Sequence, residues 1–144
     1  MCMIIRDNQV LVQNRTKNDW PGLTFPGGKV EPNESIYESV IREVKEETGL
    51  EVEHLSSCGI IHYELKAEKE RWLIFLYKTK SFKGELYRAQ KEDEIFWIDR
   101  EELNHRKLSN DLDAYLKVFE EEDILEAYAY YKPHTSSTFH FYRK

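Results

Sequence analysis

From Glu34 to Thr48 the apolar residues Ile36, Val40 and Val44 recur at four-residue steps, with Tyr37 and Ile41 beside them. That spacing predicts a helix with one apolar stripe, which is stable only where the rest of the chain supplies an apolar surface to cover it. Gly49 is the expected stop, because glycine takes up the left-handed conformation that ends helices at little cost. At ~100° per residue, Glu43, Glu46 and Glu47 fall within an arc about 100° wide beside the stripe. Three carboxylates share one edge of the helix.

Like charges at three- and four-residue spacing oppose helix formation by about 0.2–0.5 kcal/mol per pair. A bound divalent cation removes that conflict. Oxygen donors without His or Cys favour Mg²⁺, or Mn²⁺ in its place, and Mg²⁺ characteristically combines carboxylates with waters and phosphate oxygens. The bland alternative is a solvated Glu-rich face, and the helix alone does not separate the two.

The chain of 144 residues reads as one domain, and 40% hydrophobic and 13% aromatic content is enough to build a core without staples. Cys2 and Cys58 are too few for a disulfide framework and lack zinc-site spacing, so a reducing, cytoplasmic setting is expected. A net charge of −6 speaks against nucleic-acid binding through a broad basic face, but allows a small phosphorylated ligand held through a cation. No apolar run approaches the roughly 18–20 residues of a membrane span, and MCMIIRDN lacks the pattern of an export signal, so no membrane partner is expected.

Cys2 to Arg6 and Gln9 to Arg15 read as a hairpin about Asp7-Asn8, and Pro26-Gly27-Gly28 as a loop whose glycines permit backbone angles closed to other residues. Further strands are expected at Glu51 to Leu55, Gly59 to Leu65, Glu94 to Ile98, Ala127 to Tyr131 and Thr138 to Tyr142, with Trp72 to Tyr77 as a central strand. Asn110 to Glu121 reads as a second helix. Mixed strands and helices predict a sheet covered by helices on both faces.

The wider frame around the acidic helix is more specific. Gly28, Glu34, Arg42-Glu43-Val44, Glu46-Glu47 and Gly49-Leu50 stand at the spacing G-x5-E-x7-R-E-U-x-E-E-x-G-U, with U a bulky aliphatic. This resembles the Nudix box over residues 28–50, and every specified position matches; chance produces such a match with a probability on the order of 10⁻⁷. The resemblance implies a single α+β Nudix domain over 1–144, a mixed β-sheet sandwiched between helices, and Mg²⁺-dependent hydrolysis of a nucleoside diphosphate linked to another group. It implies Glu43, Glu46 and Glu47 as metal-binding catalytic carboxylates, the Gly27 carbonyl as a backbone ligand, Glu34 as an assistant through water, and Arg42 as the residue that orients Glu43. Nudix enzymes differ over the general base, so Glu43 on the helix is one candidate and Glu92 or Glu94 before Trp97 another. The two later acids read equally as surface charges.

Phe25-Pro26-Gly27-Gly28-Lys29-Val30-Glu31 resembles the start of the box in MutT-like members, which remove oxidised nucleotides such as 8-oxo-dGTP. In that subgroup an asparagine at the start of the late helix reads the purine, and Asn110 is similarly placed; a helix N-cap is its other reading. Arg15 and Phe25 are further substrate-binding candidates, read alternatively as a solvated charge and a core side chain, and Trp20 and Trp72 carry the same ambiguity. The expected reaction converts an oxidised purine nucleoside triphosphate to monophosphate and pyrophosphate.

ADP-ribose, a dinucleoside polyphosphate and a non-catalytic nucleotide-sensing role are the alternatives. The first two are weakened by the lack of proline between Pro32 and Pro133 and of tyrosine between Tyr63 and Tyr77, and the third by the retained glutamates. A small nucleotide is the expected partner. Monomer and homodimer are both open, and the tyrosine-rich stretch from Tyr128 reads as a hairpin, a lid or a dimer surface.

Overall fold

A computed structural model describes residues 1–16, 20–87 and 93–144. Its first hairpin explains the architecture. β1 (Cys2–Arg6) and β2 (Gln9–Arg15) pair antiparallel about Asp7, which adopts φ 52°. Side chains of a strand alternate between faces, and here both faces are apolar: Cys2, Ile4 and Leu11 enter one buried cluster, Met3, Val10 and Val12 the other. Such a sheet requires cover on two sides.

The first cover is α1 (Ile36–Thr48), whose Val40 and Val44 join the cluster of Cys2, Ile4 and Leu11. A fully buried aliphatic side chain contributes about 1.5–3 kcal/mol, several times the repulsion between neighbouring glutamates, so the stripe decides that this segment is helical. α1 starts two residues later than the periodicity suggests because Ser35 caps it. The Ser35 hydroxyl accepts from the Glu38 amide at 3.1 Å, and the Glu38 carboxylate accepts from the Ser35 amide at 2.8 Å. Gly49, at φ 85°, ends the helix as expected.

The second cover is α3 (Leu112–Glu120), which brings Leu112, Tyr115, Leu116 and Phe119 to the opposite cluster. Between the two lies an eight-stranded mixed sheet. Its remaining strands are β3 (Gly22–Thr24), β5 (Ser56–Leu65), β6 (Glu70–Thr79), β8 (Asp93–Asp99), β9 (Ile124–Tyr130) and β10 (His140–Arg143). The order is β10-β9-β5-β6-β1-β2-β3, with β8 paired to β2. β6 is central, as expected, flanked by antiparallel β5 and parallel β1. β8 takes the whole of one edge of β2, and β1 and β3 share the other.

The strand expected at Glu51 to Leu55 is β4 (Glu51–Glu53), and three short elements were not anticipated: β3, β7 (Ser81–Lys83), which pairs with β4 in a two-stranded sheet, and α2 (Arg100–Leu103). The late helix also begins at Leu112 rather than Asn110, because Asp111 holds φ 64°, outside helical space. The C-terminal stretch forms the hairpin of β9 and β10 at the sheet edge. Among the described residues no helix is long and apolar enough to cross a membrane.

Candidate active site

The acidic edge of α1 faces the loop that follows β3. Gly27 donates its amide to Glu47 at 2.8 Å, which ties loop to helix. Gly28 lies so near the Glu43 carboxylate that a Cβ there would collide with it. Neither glycine has positive φ, so the expected backbone freedom is not the reason for them. Close approach is: Gly28 leaves room for Glu43, and a Cβ on Gly27 would stand 2.7 Å from the Met1 Cα.

Arg42 organises the acids. Its Nε and Nη2 donate to the two oxygens of Glu34 at 2.9 and 2.6 Å, and Nη2 also donates to the Lys29 carbonyl at 3.0 Å. Its Nη1 donates to Glu43 at 2.9 Å and Glu46 at 3.2 Å. A guanidinium has five N–H donors in a rigid fork, and here each has an acceptor. Glu34 also accepts from the Glu31 amide at 2.7 Å. The Arg42 hydrogen bonds, then this amide, pull the Glu34 carboxyl down to about 2, so it stays ionised and acts on the site by holding Arg42.

Glu47 is in the opposite condition. Burial pushes its carboxyl up to about 7, partly offset by the Gly27 amide, while Glu43 raises it further and the Arg15 charge lowers it. Arg15, at the end of β2, thus lies within electrostatic reach of the acidic edge. The donor set fits a hard divalent cation: carboxylate oxygens of Glu43, Glu46 and Glu47 on one helix edge, the Gly27 peptide against them, and a half-buried acid whose charge such an ion would offset. Among the described residues no three acidic, His or Cys side chains are already drawn together in ligating geometry, because Arg42 draws Glu43 and Glu46 to itself.

The other candidates are distributed unevenly. Asn110 is half-buried where the stretch before α3 meets β3, and its Nδ2 donates to the Thr135 carbonyl at 2.9 Å. It is not the helix cap; Asp111 occupies that position. Phe25 is buried in the core, edge-on to Phe119 at 5.4 Å. Glu94 is exposed and pairs across β2 with Asn14, on the sheet face opposite α1, away from the helix carboxylates. Glu92 lies outside the described residues.

Two features escaped the sequence reading. Trp20 stacks on Tyr131 with centroids 5.5 Å apart and planes at 9°, and Trp72 lies 5.4 Å from the same ring. Asp111 is a buried acid. The aromatic residues are far apart in sequence, so no local pattern announces their meeting.

Comparison with known proteins bears on the family and the fold. The NUDIX domain profile matches residues 1–119. A solved structure titled as a mutator MutT protein from Bacillus halodurans superposes with a TM-score of 0.83 at 26% identity, covering 97% of this chain and 94% of that one. The ADP-ribose pyrophosphatase of Methanocaldococcus jannaschii is 30% identical over 115 residues, 76% of this chain and 68% of that protein. Bacillus subtilis YtkD, named a putative 8-oxo-dGTP diphosphatase, is 52% identical over 44 residues, 31% of this chain and 28% of that protein. The chain spans between 66% and 68% of the length of the first curated relatives it matches. With the box intact, the profile covering most of the chain and the fold shared, the chain belongs to the Nudix hydrolase family.

Proposed function

We propose that this chain is an Mg²⁺-dependent pyrophosphohydrolase of an oxidised purine nucleoside triphosphate such as 8-oxo-dGTP. The observation that carries the hydrolytic part of the reading is the arrangement about Arg42, whose N–H groups each meet an acceptor on the box or its loop, leaving Glu43 and Glu46 oriented and Glu47 held by Gly27, while Asn110 supports the purine. Glu43, Glu46, Glu47 and the Gly27 carbonyl would hold the metal. When bound, Mg²⁺ neutralises charge on phosphate oxygens and lowers the pKa of an attacking water.

The chain's own groups supply the rest. Glu43, fixed by Arg42, takes the proton of the water as its oxygen bonds to a phosphorus of the α–β bridge. The bond from that phosphorus to the bridging oxygen breaks, giving pyrophosphate and the nucleoside monophosphate. Arg15 meets phosphate charge beside Glu47. Asn110, with one amide N–H given to Thr135, keeps its oxygen and a second N–H for a purine edge. Trp20 and Trp72 offer flat faces nearby.

Purified protein should release pyrophosphate and 8-oxo-dGMP from 8-oxo-dGTP only with Mg²⁺ or Mn²⁺ present. Absence of pyrophosphate from 8-oxo-dGTP and from every unmodified nucleoside triphosphate would sink the substrate assignment. The second reading, ADP-ribose hydrolysis at the same carboxylate edge, draws on the relative from Methanocaldococcus jannaschii. Release of AMP and ribose 5-phosphate would establish it.

A further inference from the structure

Asp111 is a buried carboxyl group that the proposed chemistry does not use. Its residue is 4% exposed and sits at the N-cap of α3 with φ 64°, yet its side chain caps nothing. Instead its two oxygens reach separate parts of the chain. Oδ2 accepts from the Tyr63 hydroxyl at 2.9 Å, and Oδ1 accepts from the Ser137 amide at 2.8 Å. The Tyr63 oxygen in turn accepts from the Tyr115 hydroxyl at 3.2 Å. Burial pushes both phenols far above their ordinary range, so they remain protonated donors.

The partners matter more than the network itself. Asn110, one residue earlier, donates to the Thr135 carbonyl, so two consecutive residues grip the loop between β9 and β10 at Thr135 and Ser137. On the other side, the Ser109 amide donates to the Leu23 carbonyl and the Leu23 amide to the Lys107 carbonyl, both at 2.9 Å. Gly22 permits that approach, since a Cβ there would stand 2.7 Å from the Leu108 carbonyl carbon. β3 then runs through Phe25 to Gly27, the loop that holds Glu47. The same β9–β10 loop begins at Tyr131, stacked on Trp20.

From this placement we infer that Asp111 is a positioning residue: it fixes Asn110 and ties the β9–β10 loop down as a wall at the nucleoside end of the site. The inference rests on the reading that the nucleoside lies at Asn110. An aspartate in left-handed backbone with no capping role is kept because its carboxyl group satisfies a tyrosine hydroxyl and a loop amide at once. Asparagine has the same shape but only one, uncharged, acceptor oxygen; with that oxygen on Ser137 it can meet Tyr63 only by donating to a hydroxyl that already accepts from Tyr115, so both contacts weaken. Substrate recognition, not the hydrolytic step, should depend on it.

The test compares wild type with Asp111→Asn and, should that variant fold poorly, with Ser137→Pro, which removes the amide donor together with the hydroxyl that accepts from the Lys132 amide at 3.4 Å. In the nucleotide-free chain, amide exchange across Thr135 to Ser137, or at Thr135 and Ser136 in the proline variant, should accelerate about tenfold, the loss of roughly one hydrogen bond, while α1 amides stay unchanged. With 8-oxo-dGTP and Mg²⁺, KM should rise about tenfold on the same ground and preference over dGTP shrink, with kcat within about twofold. Unchanged exchange in the loop, or a fall in kcat at constant KM, overturns the proposal; a merely stabilising aspartate would move the unfolding midpoint and leave KM alone. A wild-type chain inert towards 8-oxo-dGTP removes the oxidised-purine reading only. The exchange measurement, and KM for ADP-ribose, then decide the role of Asp111.

Discussion

Arg42 has an acceptor for every N–H it carries, and this makes it the residue least replaceable by a look-alike. Lysine would keep the charge but cannot span Glu34, Glu43 and the Lys29 carbonyl together. Arg42→Lys should lower kcat about 10²-fold, the cost of misplacing a catalytic group by about 1 Å, with a far smaller change in KM. Steady-state kinetics at saturating Mg²⁺ check this, and an unchanged kcat would remove Arg42 from the positioning role. Gly28→Ala should do similar harm by displacing Glu43. Glu46→Gln and Glu47→Gln should each raise the Mg²⁺ concentration needed for half-maximal turnover while leaving the far-ultraviolet circular dichroism spectrum unchanged. The acids and the arginine were legible in sequence because their spacing is local to one helix. The reason for Gly28 was not, since it depends on how closely the loop approaches that helix.

At the level of elements, α1 carries the site and its N-terminus sets where the site begins. The capping box at Ser35 keeps Glu34 outside the helix, where it reaches Arg42 eight residues on. Ser35→Ala should cost about 1 kcal/mol of stability, read as a lower urea midpoint at constant slope. Long periodic elements such as α1, β5 and β6 could be read from their side-chain pattern alone. β3, β7 and α2 have three or four residues each, too few for a pattern, and β3 and β7 exist because partners such as Arg15 and Glu51 pair with them. The delayed start of α3 follows from the backbone angle of Asp111, which its tyrosine and loop partners hold in place. Residue type alone does not encode that.

For the whole molecule, the two-sided sheet puts the carboxylate edge of α1 with one apolar cluster and the Asn110 region with the other. Cys2 shows how tightly the first is closed: it is fully buried, and burial pushes its thiol up to about 12. Cys58 is half-exposed. Iodoacetamide on native protein at neutral pH should therefore modify Cys58 in preference to Cys2, and mass spectrometry showing the reverse would contradict this packing. Family membership rests on a match over residues 1–119, whereas the proposed substrate rests on Asn110, which the box does not contain. The most direct test of the account is product analysis with 8-oxo-dGTP and Mg²⁺. It predicts equal amounts of 8-oxo-dGMP and pyrophosphate, lost on adding EDTA and sharply reduced in Glu47→Gln at an Mg²⁺ concentration that just saturates the wild type. Orthophosphate with 8-oxo-dGDP, or turnover that survives EDTA, would contradict it.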